Sequence, residues 1–136
     1  MAGNGCKLTG RHGGPFYDVD MITIYHNPRC SKSRETLALV QDIATREQVQ
    51  LHVVDYLKNA PNIQQLQILQ KQLALPLRDM VRDNEEEYAA LGLEDADEAG
   101  LLAALSAHPK LLQRPIVVYG ERARIGRPPQ NVLDLF

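Results

Sequence analysis

Apolar positions recur along this chain in two rhythms, and the places where one gives way to the other mark its elements. Ile22 to Tyr25 is a short, β-branched run of the kind that forms a buried strand. His26-Asn27-Pro28-Arg29 breaks it. From Ser31 to about Thr45 the spacing turns helical, with Leu37, Val40 and Ala44 on one face and Leu39 and Ile43 beside them. Val49 to Asp55 alternates again and is predicted as a second strand. Strand, helix and strand in quick succession predict a right-handed βαβ unit with parallel strands. Asn59-Ala60-Pro61 opens another helix, whose Ile63, Leu66, Leu69 and Leu73 form a stripe facing the core.

Between Leu75 and Leu112 the chain is cut into several short helices by Pro76, Gly92 and Pro109. The acidic stretches here, Asp83 to Glu87 and Glu94 to Glu98, read as solvated helix faces and caps. Ile116 to Tyr119 is a third strand, Gly120 to Arg122 a turn, and Ala123 to Ile125 a fourth strand. Gly126-Arg127-Pro128-Pro129 then starts a final helix that ends near Phe136. The order is that of one α/β domain with a helical insertion, residues 21–136. The first twenty residues stand apart, with five glycines and no sustained periodicity. They read as a mobile leader or added extension, with Met21 as the natural start; a short strand over Phe16 to Val19 is the other reading.

At 136 residues the chain is long enough to bury a core without covalent staples. A net charge of −2 gives no bulk electrostatic reason to expect a nucleic acid or membrane partner. No apolar run approaches a membrane span. Only two cysteines occur, Cys6 and Cys30, which suits a reducing cytoplasm better than a disulfide framework. Neither a metal-ligand cluster nor a Walker loop is present.

Cys30 is the position where chemistry concentrates. It lies where a strand ends and a helix begins, so the free N–H groups of Ser31, Lys32 and Ser33 and the helix dipole favour a negative sulfur. Such a setting lowers a thiol pKa from about 8.5 to roughly 3.5–7.5. Lys32 and Arg34 add positive charge. The Ser33 hydroxyl has two readings, as a donor to the thiolate or as a helix-start residue. His26 reads as a residue that positions the loop or tunes Cys30 rather than as a general base. A Cys-x-x-Cys pair is excluded, because Ser33 occupies the second position. A phosphatase-type loop would need an arginine where Thr36 stands.

Three segments, His26 to Leu37, Arg114 to Val118 and Arg124 to Pro128, resemble the glutaredoxin-dependent arsenate reductase family, and the similarity runs from Met21 to the C-terminus. The resemblance implies a thioredoxin-like fold with a mixed four-stranded sheet, and a cis Arg114–Pro115 bond. It implies that Cys30 attacks arsenate while Arg82, Arg114 and Arg127 hold the oxyanion, with His26, Ser33, Arg34 and Pro115 in support. It implies no bound cofactor, glutathione as co-substrate, glutaredoxin as partner, and a cytoplasmic monomer. Planar guanidinium groups suit this task, because they grip a tetrahedral anion bidentately and have no proton to lose. Arg114, locked beside Pro115 at a strand entrance, has little reason to be there for packing. Well-known relatives carry a small residue before the cysteine and Gly-Thr after it, where this chain has Arg29, Ser31 and Lys32. Two other classes stay open. One is an Spx-type regulator that binds RNA polymerase, although those usually carry Cys-x-x-Cys. The other is a thiol reductase or deglutathionylase acting on another substrate.

Overall fold

The computed structural model describes residues 21–136. The leader, with Cys6 and the strand considered over 16–19, lies outside the described residues. Four strands, β1 (Met21–His26), β2 (Gln50–Asp55), β3 (Ile116–Tyr119) and β4 (Arg122–Ile125), form one sheet in the order β2-β1-β3-β4. β1 runs parallel to β2, while β3 is antiparallel to both β1 and β4. This is the mixed α/β sheet of the thioredoxin-like fold.

The side-chain period of two divides the sheet into two buried faces. Ile22, Ile24 and Val117 point to one side and pack on Val40, Ile43 and Ala44 of α1 (Ser31–Glu47) and on Val132 and Leu135. Ile116 and Ala123 point to the other and meet the helical insertion. That insertion comprises α2 (Ile63–Leu73), α3 (Glu86–Ala90) and α4 (Glu98–Ala107), joined by 3-10 turns at Leu77–Met80, Leu93–Asp95 and Pro109–Leu111. Its Leu66, Leu69, Met80, Leu105 and Leu111 are nearly inaccessible to water.

Several boundaries differ from the sequence expectation for local reasons. α2 starts at Ile63, because Asn62 and Gln65 form a reciprocal capping box that makes Asn62 the N-cap. Ile63 therefore sits in the first turn and is 42% exposed, outside the core stripe. The buried face of α1 is Ser33, Thr36, Val40, Ile43 and Ala44, so two hydroxyl residues continue the apolar stripe toward the start of the helix. The last element, Pro129–Leu135, is a 3-10 helix. Pro128 and Pro129 have no N–H to donate, which suits a short, tight turn at its start.

Gly126 locks the end of β4 against the start of α1. Its N–H donates to Pro115 O at 2.9 Å, and Thr36 Oγ1 lies 3.4 Å from its carbonyl oxygen. A Cβ at this position would lie 2.7 Å from Thr36 Oγ1 and 3.0 Å from Pro115 Cγ. Both neighbours are buried and neither is the loose end of a long side chain. Gly126→Ala should therefore destabilise the fold by about 1–3 kcal/mol, the usual cost of overpacking. Urea unfolding checks this, and an unchanged midpoint would show that the junction is slack.

Candidate active site

Cys30 caps the N-terminus of α1 in an extended conformation (φ −98°, ψ 123°). A tight turn leads into it, with Cys30 N–H donating to Asn27 O at 3.0 Å and Arg29 N–H to Asn27 Oδ1 at 3.0 Å. The turn is held from below by Ser33, which is fully buried. Its Oγ accepts the Asn27 N–H at 2.9 Å and lies 2.7 Å from His26 Nδ1. Burial pushes the His26 pKa down, with Arg34 adding to this, while Asp55 and the contact with Ser33 pull the other way. His26 Nδ1 and the Asn27 N–H thus both engage the Ser33 hydroxyl. The hydroxyl is thereby committed to the loop, and what Ser33 offers Cys30 is its backbone N–H.

Burial alone would push the Cys30 thiol up. The Ser33 N–H, the Arg114 side chain and the Lys32 N–H outweigh it, and its pKa falls below the ordinary value. The charges of Lys32 and Arg34 are used elsewhere. Lys32 Nζ lies 3.9 Å from Glu35 on the exposed face, and Arg34 Nη1 donates to Pro28 O at 2.9 Å, tying the loop to the helix.

Arg114 and Arg82 come together because their backbones pair. Val81 and Leu112 form an isolated antiparallel bridge, flanked by Arg82 N–H to Leu111 O at 2.7 Å and Gln113 N–H to Met80 O at 2.9 Å. The Arg114–Pro115 bond is cis, as is Arg127–Pro128. Both arginine side chains are largely buried and converge on Glu85. Arg82 Nε lies 3.1 Å and Arg114 Nη1 3.8 Å from Glu85 Oε2, while Lys110 Nζ lies 3.7 Å from Oε1. In the stretch Asp83 to Glu87, expected to form solvated faces and caps, Glu85 is the N-cap residue of α3, but its side chain is only 15% exposed and is paired with the arginines. Arg78, in the same segment as Arg82, is structural: it donates to Tyr88 Oη, Leu93 O and Ala96 O.

Tyr56, which the sequence did not single out, is fully buried below this cluster, and its hydroxyl has no hydrogen-bond partner. Burial pushes its pKa up, with the Arg114 charge and the Asn27 side chain opposing. Arg127 follows the Gly126 junction, so its backbone is docked beside Pro115 and α1. Its side chain is exposed and lines an open cleft of about 600 Å³ with Asp79, Gln113, Arg124 and Asn131. Among the described residues no cluster of three metal-ligating side chains occurs, and no helix is long and apolar enough to cross a membrane.

A thioredoxin-like domain with one activated cysteine at a helix N-terminus and arginines beside it defines a class of thiol-redox proteins. The ArsC family model matches residues 25–135, and the chain belongs to that family. It is 42% identical over 117 residues to an arsenate reductase of Haemophilus influenzae, covering 84% of this chain and 97% of that one. It is 44% identical over 117 residues to YfgD of Escherichia coli, a protein described as uncharacterized, covering 84% and 95%. The structure of an arsenate reductase from Vibrio cholerae superposes with a TM-score of 0.79 at 44% identity, covering 85% of this chain and 98% of that one.

The lowered thiol pKa has a direct readout. Alkylation of Cys30 by iodoacetamide should rise with pH to a plateau, with an inflection below the free-cysteine value of about 8.5. Arg114→Met removes both a hydrogen bond and a positive charge from the sulfur, so the inflection should move up. An inflection that ignores Arg114 would mean that the guanidinium does not reach the thiolate.

Proposed function

We propose that this protein reduces arsenate to arsenite through the Cys30 thiolate, with Arg82, Arg114 and Arg127 as the oxyanion-binding residues. The observation that carries the reading is the Arg114 side chain, which acts on the Cys30 sulfur and is paired with Glu85 beside Arg82. An anion seated there lies within reach of the nucleophile and of planar donors at once. Its relatives named as arsenate reductases support the same reading. The thiolate forms a bond to arsenic and one arsenate oxygen leaves as water. Glutathione adds to the arsenic next as a second oxygen leaves as water. A glutaredoxin thiolate then attacks the glutathione sulfur, whose S–As bond breaks with the electron pair staying on arsenic. A glutaredoxin–glutathione disulfide forms, and water frees arsenite and the Cys30 thiol. Two thiols thus supply the two electrons that take arsenic from the +5 to the +3 state. Arg127 reaches the anion from the exposed side, His26 and Ser33 hold the loop, Arg34 ties it to α1, and Pro115 sets the approach of Arg114.

Cys30 is the one free cysteine among the described residues, so the resolving thiol comes from outside the domain. Thiol exchange needs that second sulfur to approach in a defined line, and glutathione is small enough to do so. The protein acts as a monomer in the cytoplasm, where glutathione and glutaredoxin keep thiols reduced. Neither glutathione nor glutaredoxin alone should support full turnover, thioredoxin alone should be a poor donor, and Cys6→Ser should be as active as wild type. Coupled NADPH oxidation with each donor system measures this. Activity with thioredoxin alone, or loss in Cys6→Ser, would overturn the single-cysteine mechanism. Absence of arsenate turnover with every donor would move the assignment to another thiol-linked substrate.

The arginines have a separate test. Replacing each of Arg82, Arg114 and Arg127 by lysine keeps the charge and removes the planar fork. Loss of one such donor to a desolvated anion costs on the order of 10²-fold in kcat/KM. Wild-type kinetics in all three lysine variants would remove them from the site.

A further inference from the structure

Glu85 is a carboxylate in a place where an anion is expected to bind. It stands 3.1 Å from Arg82 and 3.8 Å from Arg114 through a single oxygen, Oε2, with Lys110 at 3.7 Å from the other. Its position is fixed by the backbone, since Glu85 N–H donates to Arg82 O at 3.4 Å and Glu85 O accepts from Tyr88 N–H at 3.1 Å. Lys110 also faces Glu87 at 3.8 Å. Arg82, Arg114 and Lys110 thus meet two carboxylates, and much of their charge is already matched before a substrate enters.

We infer that Glu85 makes this site selective for tetrahedral oxyanions that carry a proton; the inference rests on the oxyanion-site reading given above. A carboxylate only accepts hydrogen bonds. A fully deprotonated oxyanion such as sulfate also only accepts, so an oxygen brought against Glu85 meets the repulsion of that carboxylate with no proton to place between them. Arsenate and phosphate hold at least one proton near neutral pH. Their hydroxyl donates to Glu85 while the remaining oxygens take N–H donors from the arginines. Discrimination by a buried group that one ligand satisfies and its isostere leaves opposed is far stronger than discrimination by shape. A site made of arginines alone would take sulfate, which is abundant and chemically inert toward a thiol, as readily as substrate.

The test uses the full chain carrying Cys6→Ser, so that only Cys30 reports. Iodoacetamide alkylation is followed at pH 7 and constant ionic strength with phosphate, arsenate or sulfate, in that background and with Glu85→Gln added. Phosphate and arsenate should slow alkylation at concentrations where sulfate has no effect. In Glu85→Gln, whose amide can also donate, sulfate should protect at concentrations roughly 10- to 100-fold lower relative to phosphate than before. Equal protection by sulfate and phosphate with Glu85 intact overturns the inference even if the variant does not fold, and so does an unchanged ratio in a folded variant. If no oxyanion protects Cys30 at all, the oxyanion-site reading fails first and the selectivity fails with it.

Discussion

A guanidinium that keeps only 16% of its side-chain surface in water needs compensation on more than one side, and Arg114 has it from Cys30 and from Glu85. A buried charge left alone costs several kcal/mol, so neither partner is incidental to the fold. This explains why the helical insertion belongs to the site as much as the sheet does. The segment leading into β3 delivers Arg114, and Arg82 and Glu85 come from the insertion. The backbone bridge between Val81 and Leu112 holds the two arginine-bearing segments in register. Ordering the site and completing the core are therefore the same event, because Met80, Val81, Leu111 and Leu112, which carry that bridge, are all core residues.

The thiolate is favoured by backbone N–H groups as well as by the Arg114 side chain. Two of the groups that lower the Cys30 pKa are the N–H donors of Ser33 and Lys32, which any residue except proline would supply at those positions. Arg29, Ser31 and Lys32 depart from the motif of well-known relatives, and all three side chains are exposed. The substitutions leave the cradle intact and change only the rim that a partner thiol or a protein donor would meet. What cannot vary freely is the scaffold below, where Ser33 binds the Asn27 N–H and His26, and where Thr36 abuts Gly126.

Much of this could be read from residue order. A β-branched run, a proline-containing break and a helix start place a cysteine at an N-cap whatever the rest of the chain does. The strand pairing follows from alternation and from the length of the connections. Glu85 could not be found that way. Asp83, Glu85, Glu86 and Glu87 are chemically alike, and only the turn at the start of α3 decides which one faces the arginines. The Ser33–Thr36 continuation of the α1 stripe was missed because an apolar count passes over hydroxyls, yet their spacing from Val40 and Ile43 is helical. The triad was carried by motif, and the structure separates its members: Arg82 and Arg114 share a partner, whereas Arg127 lines the neighbouring cleft with an exposed side chain.

The distribution of unsatisfied polar atoms argues that this end of the sheet is shaped by chemistry rather than by stability. Among the described residues, the buried side-chain atoms without a hydrogen-bond partner are Tyr56 Oη, Arg114 Nε and Glu87 Oε1. Each such atom typically costs about 1–3 kcal/mol, and natural cores contain few of them. Here they are not scattered. Arg114 acts on the Cys30 sulfur, Tyr56 feels the charge of both, and Glu87 joins the same ion network through Lys110. Away from it, α2 and α4 carry side-chain N-caps and the two apolar layers are well filled. Unsatisfied buried polar atoms gathered in one place are the pattern expected where a site is kept for chemistry at some cost in stability. That place is the one where the thiolate, the arginines and Glu85 meet.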